Sequence, residues 1–223
     1  RRGSDSLPAT AAESSRMATV ITLAQQKGGT GKTTLAANIA AALAGRRRVA
    51  LLDIDPQRSL GRWYGLRAAR TGLAPLAFSD LAGWRLGGEL DRLRRSHDVV
   101  LIDSPPQIDT DARLAIRAAD LVLIPVQPSP PDLWAAEGTL KLASAEHRAA
   151  RIVLNRVPSA SRLRETVAAD IAARELPMLR AAVGNRTGFA LAFAEGLGVT
   201  EAAPRSAAAA ELLVLVAELE EML

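Results

Sequence analysis

The chain alternates between short apolar runs and longer segments with helical character. The apolar runs are rich in Val, Ile and Leu, which is typical of strands buried on both faces of a parallel sheet, and they lie at 20–24, 49–54, 99–102, 121–126 and 152–154. Helix-like segments lie between and after them, at 33–44, 87–95, 109–118, 132–147 and 161–174. This alternation predicts an α/β fold with a single doubly wound, mainly parallel sheet, flanked by helices and joined by right-handed crossovers.

The two ends of the chain differ in character. Residues 1–16 are polar and show no periodicity, so we expect a disordered tail or a cloning remnant, with Met17 as the native start and 17–223 as one domain. The segment SAAAAELLVLVAELEEML predicts a helix capped near Ser206, with a boundary at Pro204. Its apolar residues are expected to dock the helix on the sheet; they are residues 212, 213, 215, 216 and 219.

Composition removes several kinds of chemistry. The chain has no Cys, which excludes disulfides, thiolate catalysis, iron–sulfur clusters and cysteine zinc sites. Its two histidines, His97 and His147, lie far apart in the sequence, so no histidine metal site is expected. We find no run of about 18 apolar residues that would span a membrane and no signal peptide. A cytoplasmic location is therefore expected.

Positive charge is carried almost wholly by arginine. The formal net charge is +4, which permits contact with nucleic acid and is equally compatible with a solvated basic exterior. Only three of the 28 basic residues are lysines, and two of them, Lys27 and Lys32, share the stretch QQKGGTGKTT. Lysine carries a compact ammonium on a thin stem, which can follow the backbone to a phosphate. The pair therefore indicates a phosphate site.

This glycine-rich stretch falls between a predicted strand and a predicted helix. Backbone N–H groups in such a turn converge on one centre and the helix dipole adds positive potential, so the turn binds anions. Its glycines allow close approach to a polyphosphate. We expect Lys32 to reach the β- and γ-phosphates and Thr33 to coordinate Mg²⁺. The usual pattern G-x-x-x-x-G-K-[ST] is not met, because Gln26 occupies its first position.

Carboxylates end two of the predicted strands. VALLDIDPQ carries Asp53 and Asp55, and DVVLIDSPP carries Asp103. The carboxyl ends of parallel strands face the crevice in which α/β folds bind ligands. A strand-end Asp often holds phosphate-bound Mg²⁺, whereas an isolated one is more often a cap or turn residue. Three of them together with a glycine-rich lysine loop favour a site for ATP and Mg²⁺.

Three motifs in this order, KGGTGKTT, LLDIDPQ and VVLIDSPP, resemble the deviant Walker motifs of the ParA/MinD family of ATPases. The resemblance covers roughly residue 17 to the C-terminus. It implies a P-loop NTPase fold that uses ATP and Mg²⁺ and hydrolyses ATP slowly, with stimulation by a partner. It also implies that Lys27 is the family's signature lysine, which crosses the interface of an ATP-bound, face-to-face homodimer to reach the partner's nucleotide.

The same resemblance assigns roles to single residues. Lys27, Lys32 and Asp55 are the implied catalytic residues, with Asp55 positioning the attacking water, and Asp53 supports dimer or switch geometry. The implied magnesium-site residues are Thr33, Asp55 and Asp103. Asn155, which ends the run RIVLN, matches a position that contacts adenine, although an Asn after a strand is also an ordinary turn residue. The implied nucleotide-binding set is Gly28, Gly29, Thr30, Gly31, Lys32, Thr33, Thr34 and Asn155.

Residue types that the chain lacks exclude several branches of this family. Nitrogenase iron proteins and iron–sulfur scaffold proteins need cysteines, and the related tyrosine kinases need a tyrosine cluster, whereas Tyr64 is the only tyrosine here. A MinD-like membrane ATPase would end in a basic amphipathic helix, but this chain ends in AELEEML, so no membrane partner is expected. A MinD-like positioning ATPase and a small-molecule ligase of the dethiobiotin synthetase type remain as alternatives.

The resemblance that remains is to short ParA-type partitioning ATPases. The chain begins almost directly at the first strand, so we expect no N-terminal helix-turn-helix and no operator-specific repression. The resemblance implies a nucleoid-associated ATP dimer that binds non-specific double-stranded DNA and is stimulated by a small ParB-like or cargo-adaptor protein. Its cargo would be a plasmid, a chromosome or a protein assembly. The stretch DPQRSLGRWYGLR, with Trp63 shortly after the DPQ motif, resembles orphan ParA relatives that distribute carboxysomes or chemoreceptor clusters. The alternative is that Trp63 is a packing residue of the protein interior.

DNA affinity of this kind is expected to come from arginines that contact phosphates, with strong salt dependence and little base readout. The stretch LRAAVGNRTGFALAFAEG resembles the family segment that carries basic residues on the DNA-facing surface. It makes Arg180 and Arg186 the first candidates, with Arg205 and Arg164 after them.

Overall fold

The computed structural model describes residues 17–107, 109–159 and 162–222. In this part of the chain, seven strands form one sheet in the order β3-β2-β4-β1-β5-β6-β7, and each neighbouring pair is parallel. The doubly wound sheet predicted from the sequence is therefore confirmed. The strands are β1 (Thr19–Leu23), β2 (Val49–Asp53), β3 (Ala77–Asp80), β4 (Val99–Asp103), β5 (Leu121–Val126), β6 (Ala149–Val157) and β7 (Met178–Gly184).

Helices cover both faces of the sheet. They are α1 (Lys32–Ala44), α2 (Ser59–Ala68), α3 (Leu86–Ser96), α4 (Thr110–Ala118), α5 (Pro130–Ala145), α6 (Arg162–Ala173), α7 (Thr187–Ala194), α8 (Val199–Ala202) and α9 (Ala207–Glu220). Helices α1, α2, α7, α8 and α9 enclose one core, whereas α3 to α6 enclose the cores on the opposite face. The central strands are therefore covered on both sides.

Burial on both faces explains the apolar runs of the sequence. Along β1, Ile21 and Leu23 enter one core and Val20 enters the other, as the two-residue period of a strand requires. Every residue of β2, β4 and β5 is buried. Helix α1 is almost wholly buried too, and its many alanines let the neighbouring helices approach closely.

The sequence did not predict five of the observed elements, namely β3, β7, α2, α7 and α8. Strands β3 and β7 lie at the two edges of the sheet, where several of their residues are partly exposed, so neither gives a continuous apolar run. The expectation for Leu213 was wrong, because this side chain is 45% exposed while the other apolar positions of the α9 stripe are buried. The expectations for residues 1–16 lie outside the described residues.

Within the described ranges, no helix is long enough and apolar enough to cross a membrane.

Candidate nucleotide-binding site

The glycine-rich loop connects β1 to α1 at the carboxyl edge of the sheet. Gly29 and Gly31 have φ angles of 78° and 95°, a conformation that favours glycine. Gly31 also caps α1, and a Cβ atom on it would lie 2.4 Å from Nδ2 of Asn155. The loop therefore wraps tightly against its surroundings while its N–H groups remain at the start of the helix.

Two side chains hold this loop, one from within β6 and one from directly after the neighbouring strand β5. Asn155 lies within β6 and is buried, and its Nδ2 donates a hydrogen bond of 2.7 Å to the carbonyl oxygen of Thr30. Gln127, directly after β5, donates a 3.3 Å bond to the carbonyl of Gly29. The alternative reading of Asn155 as a turn residue is therefore wrong, since it supports the loop from inside a strand.

Gln26, the departure from the usual loop pattern, has a structural reason. Its side chain lies against α5 where Gly138 leaves room for it, because a Cβ on Gly138 would lie 2.1 Å from Nε2 of Gln26. The backbone N–H of Gln26 donates a hydrogen bond of 2.8 Å to Oε1 of Gln25. The Gln25 amide in turn lies 3.4 Å from the carbonyl oxygens of Pro125 and Asp132. The loop is thus packed onto α5 as well as onto the sheet.

Lys32 is the buried cation of the site. Its side-chain ammonium donates to the carbonyl oxygen of Gln25 at 3.2 Å. Burial lowers the pKa of Lys32, and the nearby carboxylates of Asp103 and Asp55 partly oppose that effect. A buried ammonium held by one neutral acceptor among the described residues is suited to bind an anion.

Asp103 is the matching buried anion. It ends β4 and is fully buried, and neither of its carboxylate oxygens has a hydrogen-bond partner among the described residues. Burial raises the pKa of Asp103 to about 7, although the nearby Thr33 hydroxyl and the Lys32 ammonium act in the opposite direction. This carboxylate close to the Thr33 hydroxyl provides the hard oxygen ligands that Mg²⁺ prefers. The residues present therefore fit a magnesium ion.

The other two carboxylates organise the loop after β2. Asp53 is buried, and its two oxygens accept N–H groups from Asp55 at 3.1 Å and from Gly61 of α2 at 2.9 Å. Burial raises the pKa of Asp53. Asp55 is only half-buried and accepts the N–H of Gln57 at 2.9 Å. Asp53 thus ties the segment that carries Asp55 to the start of α2.

Two adjoining cavities are together large enough to hold one nucleotide. The first, of about 300 Å³, is lined by the glycine-rich loop, by Asp55 and by Arg156, among others. The second, of about 280 Å³, is lined by Asn155, Asn185 and Phe189, among others. Thr34 and Arg156 line both cavities. Of the predicted nucleotide-binding residues, these line the first cavity: Gly28, Gly29, Gly31, Lys32, Thr33 and Thr34.

Lys27 forms an ion pair that sequence reasoning missed. Its ammonium contacts the carboxylate of Asp132 in the first turn of α5, where the Lys27 side chain is 42% exposed and the Asp132 side chain 2%. Ser129 donates a 2.6 Å bond to the same carboxylate. The other oxygen of Asp132 has no partner among the described residues. The motif SPPD predicts a helix start, but nothing local in it points to a lysine 105 residues away.

The predicted DNA-contacting arginines lie in or near α6, β7 and α9, and Arg186 also lines the second cavity. Arg180 pairs with Glu218 at 3.4 Å and with Glu221 at 3.0 Å, and Arg186 pairs with Glu211 at 2.6 Å. With Arg164 they line one surface cleft of about 330 Å³. Arg205 is exposed in the segment before α9 and does not line that cleft. The structure thus brings three of the four candidates together.

Trp63 is part of the core. Its side chain is fully buried, and its indole N–H donates to the carbonyl of Leu197 at 3.2 Å. Its burial and hydrogen bond therefore fit the interpretation of Trp63 as a packing residue.

Residues 21–199 match the family model described as the CobQ/CobB/MinD/ParA nucleotide binding domain. The chain is 34% identical over 206 residues to the "Maintenance of carboxysome distribution protein A" of Halothiobacillus neapolitanus, covering 88% of this chain and 94% of that protein. It is 38% identical over 149 residues to the "Chromosome-partitioning ATPase Soj" of Thermus thermophilus, covering 55% and 59% of the two chains.

The fold is also similar to a solved structure, that of a Cyanothece McdA variant in complex with ATP. The TM-score is 0.76 at 21% sequence identity, and the superposition covers 92% of this chain and 97% of that one. At this identity, the likeness shows a common fold.

Proposed function

The chain belongs to the CobQ/CobB/MinD/ParA family of nucleotide-binding proteins, and we propose that it is an ATPase that positions a cargo in the cell. The proposed reaction is slow hydrolysis of ATP to ADP and phosphate with Mg²⁺, in a homodimer that closes around two ATP molecules. One observation carries the ATPase assignment: the buried Asp103 has no hydrogen-bond partner among the described residues, close to the buried Lys32. Burial of two such charges is costly and is offset when both meet a magnesium–polyphosphate complex.

The residues divide the work as follows. Backbone N–H groups of the glycine-rich loop and the Lys32 ammonium bind the phosphates, while Thr33 and Asp103 hold Mg²⁺. Bound Mg²⁺ neutralises charge on the phosphate oxygens. Asp55 orients the attacking water through its carboxylate, which is accessible at the cavity wall. Asp53 holds the Asp55 segment in place by its two backbone contacts.

Lys27 acts in trans, on the nucleotide of the partner protomer. In the single chain its ammonium is held by Asp132, so dimer formation requires that this contact be exchanged for the partner's phosphates. The exposed side of Lys27 makes such an exchange possible. A second ammonium at the triphosphate offsets the repulsion between two anionic nucleotides and the charge that develops during phosphoryl transfer.

The ATP dimer binds non-specific double-stranded DNA and is thereby held on the nucleoid. Arg164, Arg180 and Arg186 supply the main contacts, with Arg205 as a further contact. The ion pairs of Arg180 and Arg186 with the glutamates of α9 exchange for DNA phosphates. The carboxysome-distribution relative is matched over 94% of its length and the Soj relative over 59%, which favours a protein assembly over a chromosome as cargo. A small adaptor protein stimulates hydrolysis.

The α9 surface disfavours the membrane alternative. A membrane-binding helix needs basic residues around its apolar face, whereas α9 presents Glu211, Glu218 and Glu220, which pair with arginines outside this helix. A dethiobiotin synthetase-type ligase would turn over ATP only with a second substrate. ATP hydrolysis by the protein without any second substrate would therefore contradict the ligase alternative, and the binding experiment below tests the membrane alternative.

That experiment measures binding to non-specific double-stranded DNA with ATP, with ADP and without nucleotide, across a salt titration. Binding only with ATP, falling steeply as salt rises, is the expected result. Liposomes of anionic lipid, added in place of DNA, test the membrane alternative in the same assay. Absence of DNA binding in every nucleotide state would overturn the nucleoid proposal and leave the ATP site standing.

A further inference from the structure

Strand β6 is irregular where it reaches the glycine-rich loop. Its register with β7 shifts between Leu154 and Val157, and Arg156 within this shift has a φ of 52°. A residue other than glycine rarely adopts this left-handed conformation, and such outliers cluster at functional sites. The irregularity therefore calls for a local explanation.

The consequence of the irregularity is that two consecutive side chains approach the same loop. In a regular strand, adjacent side chains point to opposite faces of the sheet. Here, Nδ2 of Asn155 and Nε of Arg156 lie 2.4 Å and 3.8 Å from the position that a Cβ atom would take on Gly31. Asn155 is already committed to the loop by its bond to Thr30. The left-handed residue brings the guanidinium of Arg156 to the same place.

Arg156 also lies where the two cavities meet. It lines the cavity over the glycine-rich loop and the adjoining cavity beside Asn185 and Phe189. A nucleotide with its phosphates in the first cavity and its base in the second must pass this junction with its ribose and α-phosphate. The guanidinium is a planar donor that matches phosphate oxygens.

The charge of Arg156 is available to such a ligand. Among the described residues, no carboxylate forms an ion pair with Arg156. By contrast, Arg186, which also lines the cavity beside Asn185 and Phe189, is paired with Glu211 at 2.6 Å. The Arg156 side chain is exposed to the cavities. An exposed arginine without an ion-pair partner in the described part of the chain, held in place by an unfavourable backbone conformation, is suited to an anionic ligand.

We propose that Arg156 is a nucleotide-binding residue that contacts the α-phosphate and ribose, the part that ATP and ADP have in common. This inference rests on the proposed function, because it takes the two cavities as the phosphate and base subsites. The left-handed conformation is then a local cost to folding that serves binding. Replacement by glycine removes that conformational cost and the guanidinium together.

The test measures the dissociation constants of ATP and ADP for the intact protein and for Arg156→Gly and Arg156→Gln, together with the melting temperature of each. We expect both variants to bind ATP and ADP about 10- to 100-fold more weakly, by the same factor for each nucleotide. Arg156→Gly is expected to melt no lower than the parent protein. Arg151→Gln, in the regular part of the same strand, is the matched control and is expected to bind both nucleotides normally.

Each result decides between the proposals. Normal ATP and ADP affinity in both variants would overturn the role of Arg156, and a loss confined to ATP would overturn the contact with the shared part of the nucleotide. A lower melting temperature of Arg156→Gly together with normal affinity in Arg156→Gln would assign Arg156 a structural role instead. If the unaltered protein bound neither nucleotide, the ATPase proposal itself would fail, which is a distinct outcome.

Discussion

Two regions of the molecule concentrate its charge, and they handle it in opposite ways. In the crevice at the carboxyl ends of β1 and β4, Lys32 and Asp103 are buried, and neither forms an ion pair with a described residue. Around β7 and α9, Arg180 and Arg186 are exposed or partly exposed and paired with glutamates. The crevice thus stores unfavourable electrostatic energy, whereas the arginine surface has already neutralised its own.

The difference separates two kinds of binding site. Buried charges that only partly compensate each other destabilise the empty protein and are relieved by a ligand of suitable charge, so they indicate a site strongly. Exposed ion pairs contribute little to stability and exchange partners readily, so they are compatible with DNA contact and equally with an ordinary surface.

The stability of the nucleotide-free, magnesium-free protein is expected to fall as pH rises from about 4 to about 7. The folded state keeps a proton on Asp103 up to its pKa of about 7, while the unfolded carboxyl loses it near the ordinary pKa of 3.8. The folded state therefore binds more protons in this window, and the free energy of unfolding decreases with pH by on the order of 4 kcal/mol, then levels off. The raised pKa of Asp53 acts in the same direction.

Urea unfolding of the parent protein and of Asp103→Asn between pH 5 and pH 8 measures this effect. The variant is expected to lose most of the slope. Asp98→Asn is the surface control, because Arg48 lowers the pKa of Asp98 and that carboxyl is ionised in both states throughout this range. A slope unchanged in Asp103→Asn would show that the crevice is not under electrostatic stress.

Lys32→Ala is expected to lower ATP hydrolysis by about 10²- to 10³-fold, because the buried ammonium is the cation that we propose to bind the phosphates. The chain supplies a matched control in Lys141→Ala, since Lys141 is the third lysine and lies exposed on α5. Steady-state phosphate release reports both. Comparable losses of ATP hydrolysis in the two variants would contradict a specific role of Lys32.

Asp132→Asn is expected to promote ATP-dependent dimerisation, lowering the ATP concentration that it needs by about tenfold, a change of about 1.4 kcal/mol. The substitution removes the carboxylate that holds Lys27 and leaves an oxygen to accept from Ser129. Light scattering after size-exclusion chromatography measures the dimer fraction. Lys27→Ala and the double variant are both expected to stay monomeric. Dimerisation by the double variant would contradict a role of Lys27 in trans.

The smallest expected effect is at the arginine surface. Glu221→Gln removes one partner of Arg180 and is expected to strengthen DNA binding about two- to threefold at low salt. Glu195→Gln removes the same charge from an exposed ion pair with Arg70 and serves as the control. Equal gains in both variants would mean that net charge, and not the Arg180 surface, governs DNA affinity.

The sequence predicted the crevice better than its surroundings, for a physical reason. Lys32, Thr33 and Asp103 follow apolar runs that are buried strands, so their positions at the sheet edge can be inferred from local pattern. The Lys27–Asp132 ion pair joins residues far apart in sequence, and the Arg156 conformation arises from a shift in strand register. Neither leaves a local signal in the sequence. The edge strand β7 gives no continuous apolar run, because only its alternate residues are buried and the exposed Arg180 interrupts it.

The fit of Gln26 against Gly138 has an evolutionary consequence. A side chain at position 138 would displace the Gln26 amide from α5, and with it the first turn of the glycine-rich loop. Natural selection should therefore act on the two positions as one unit. In related sequences, a larger residue at position 138 should accompany a smaller one at position 26. The evolution of this loop is thus coupled to that of a helix more than a hundred residues away in the sequence.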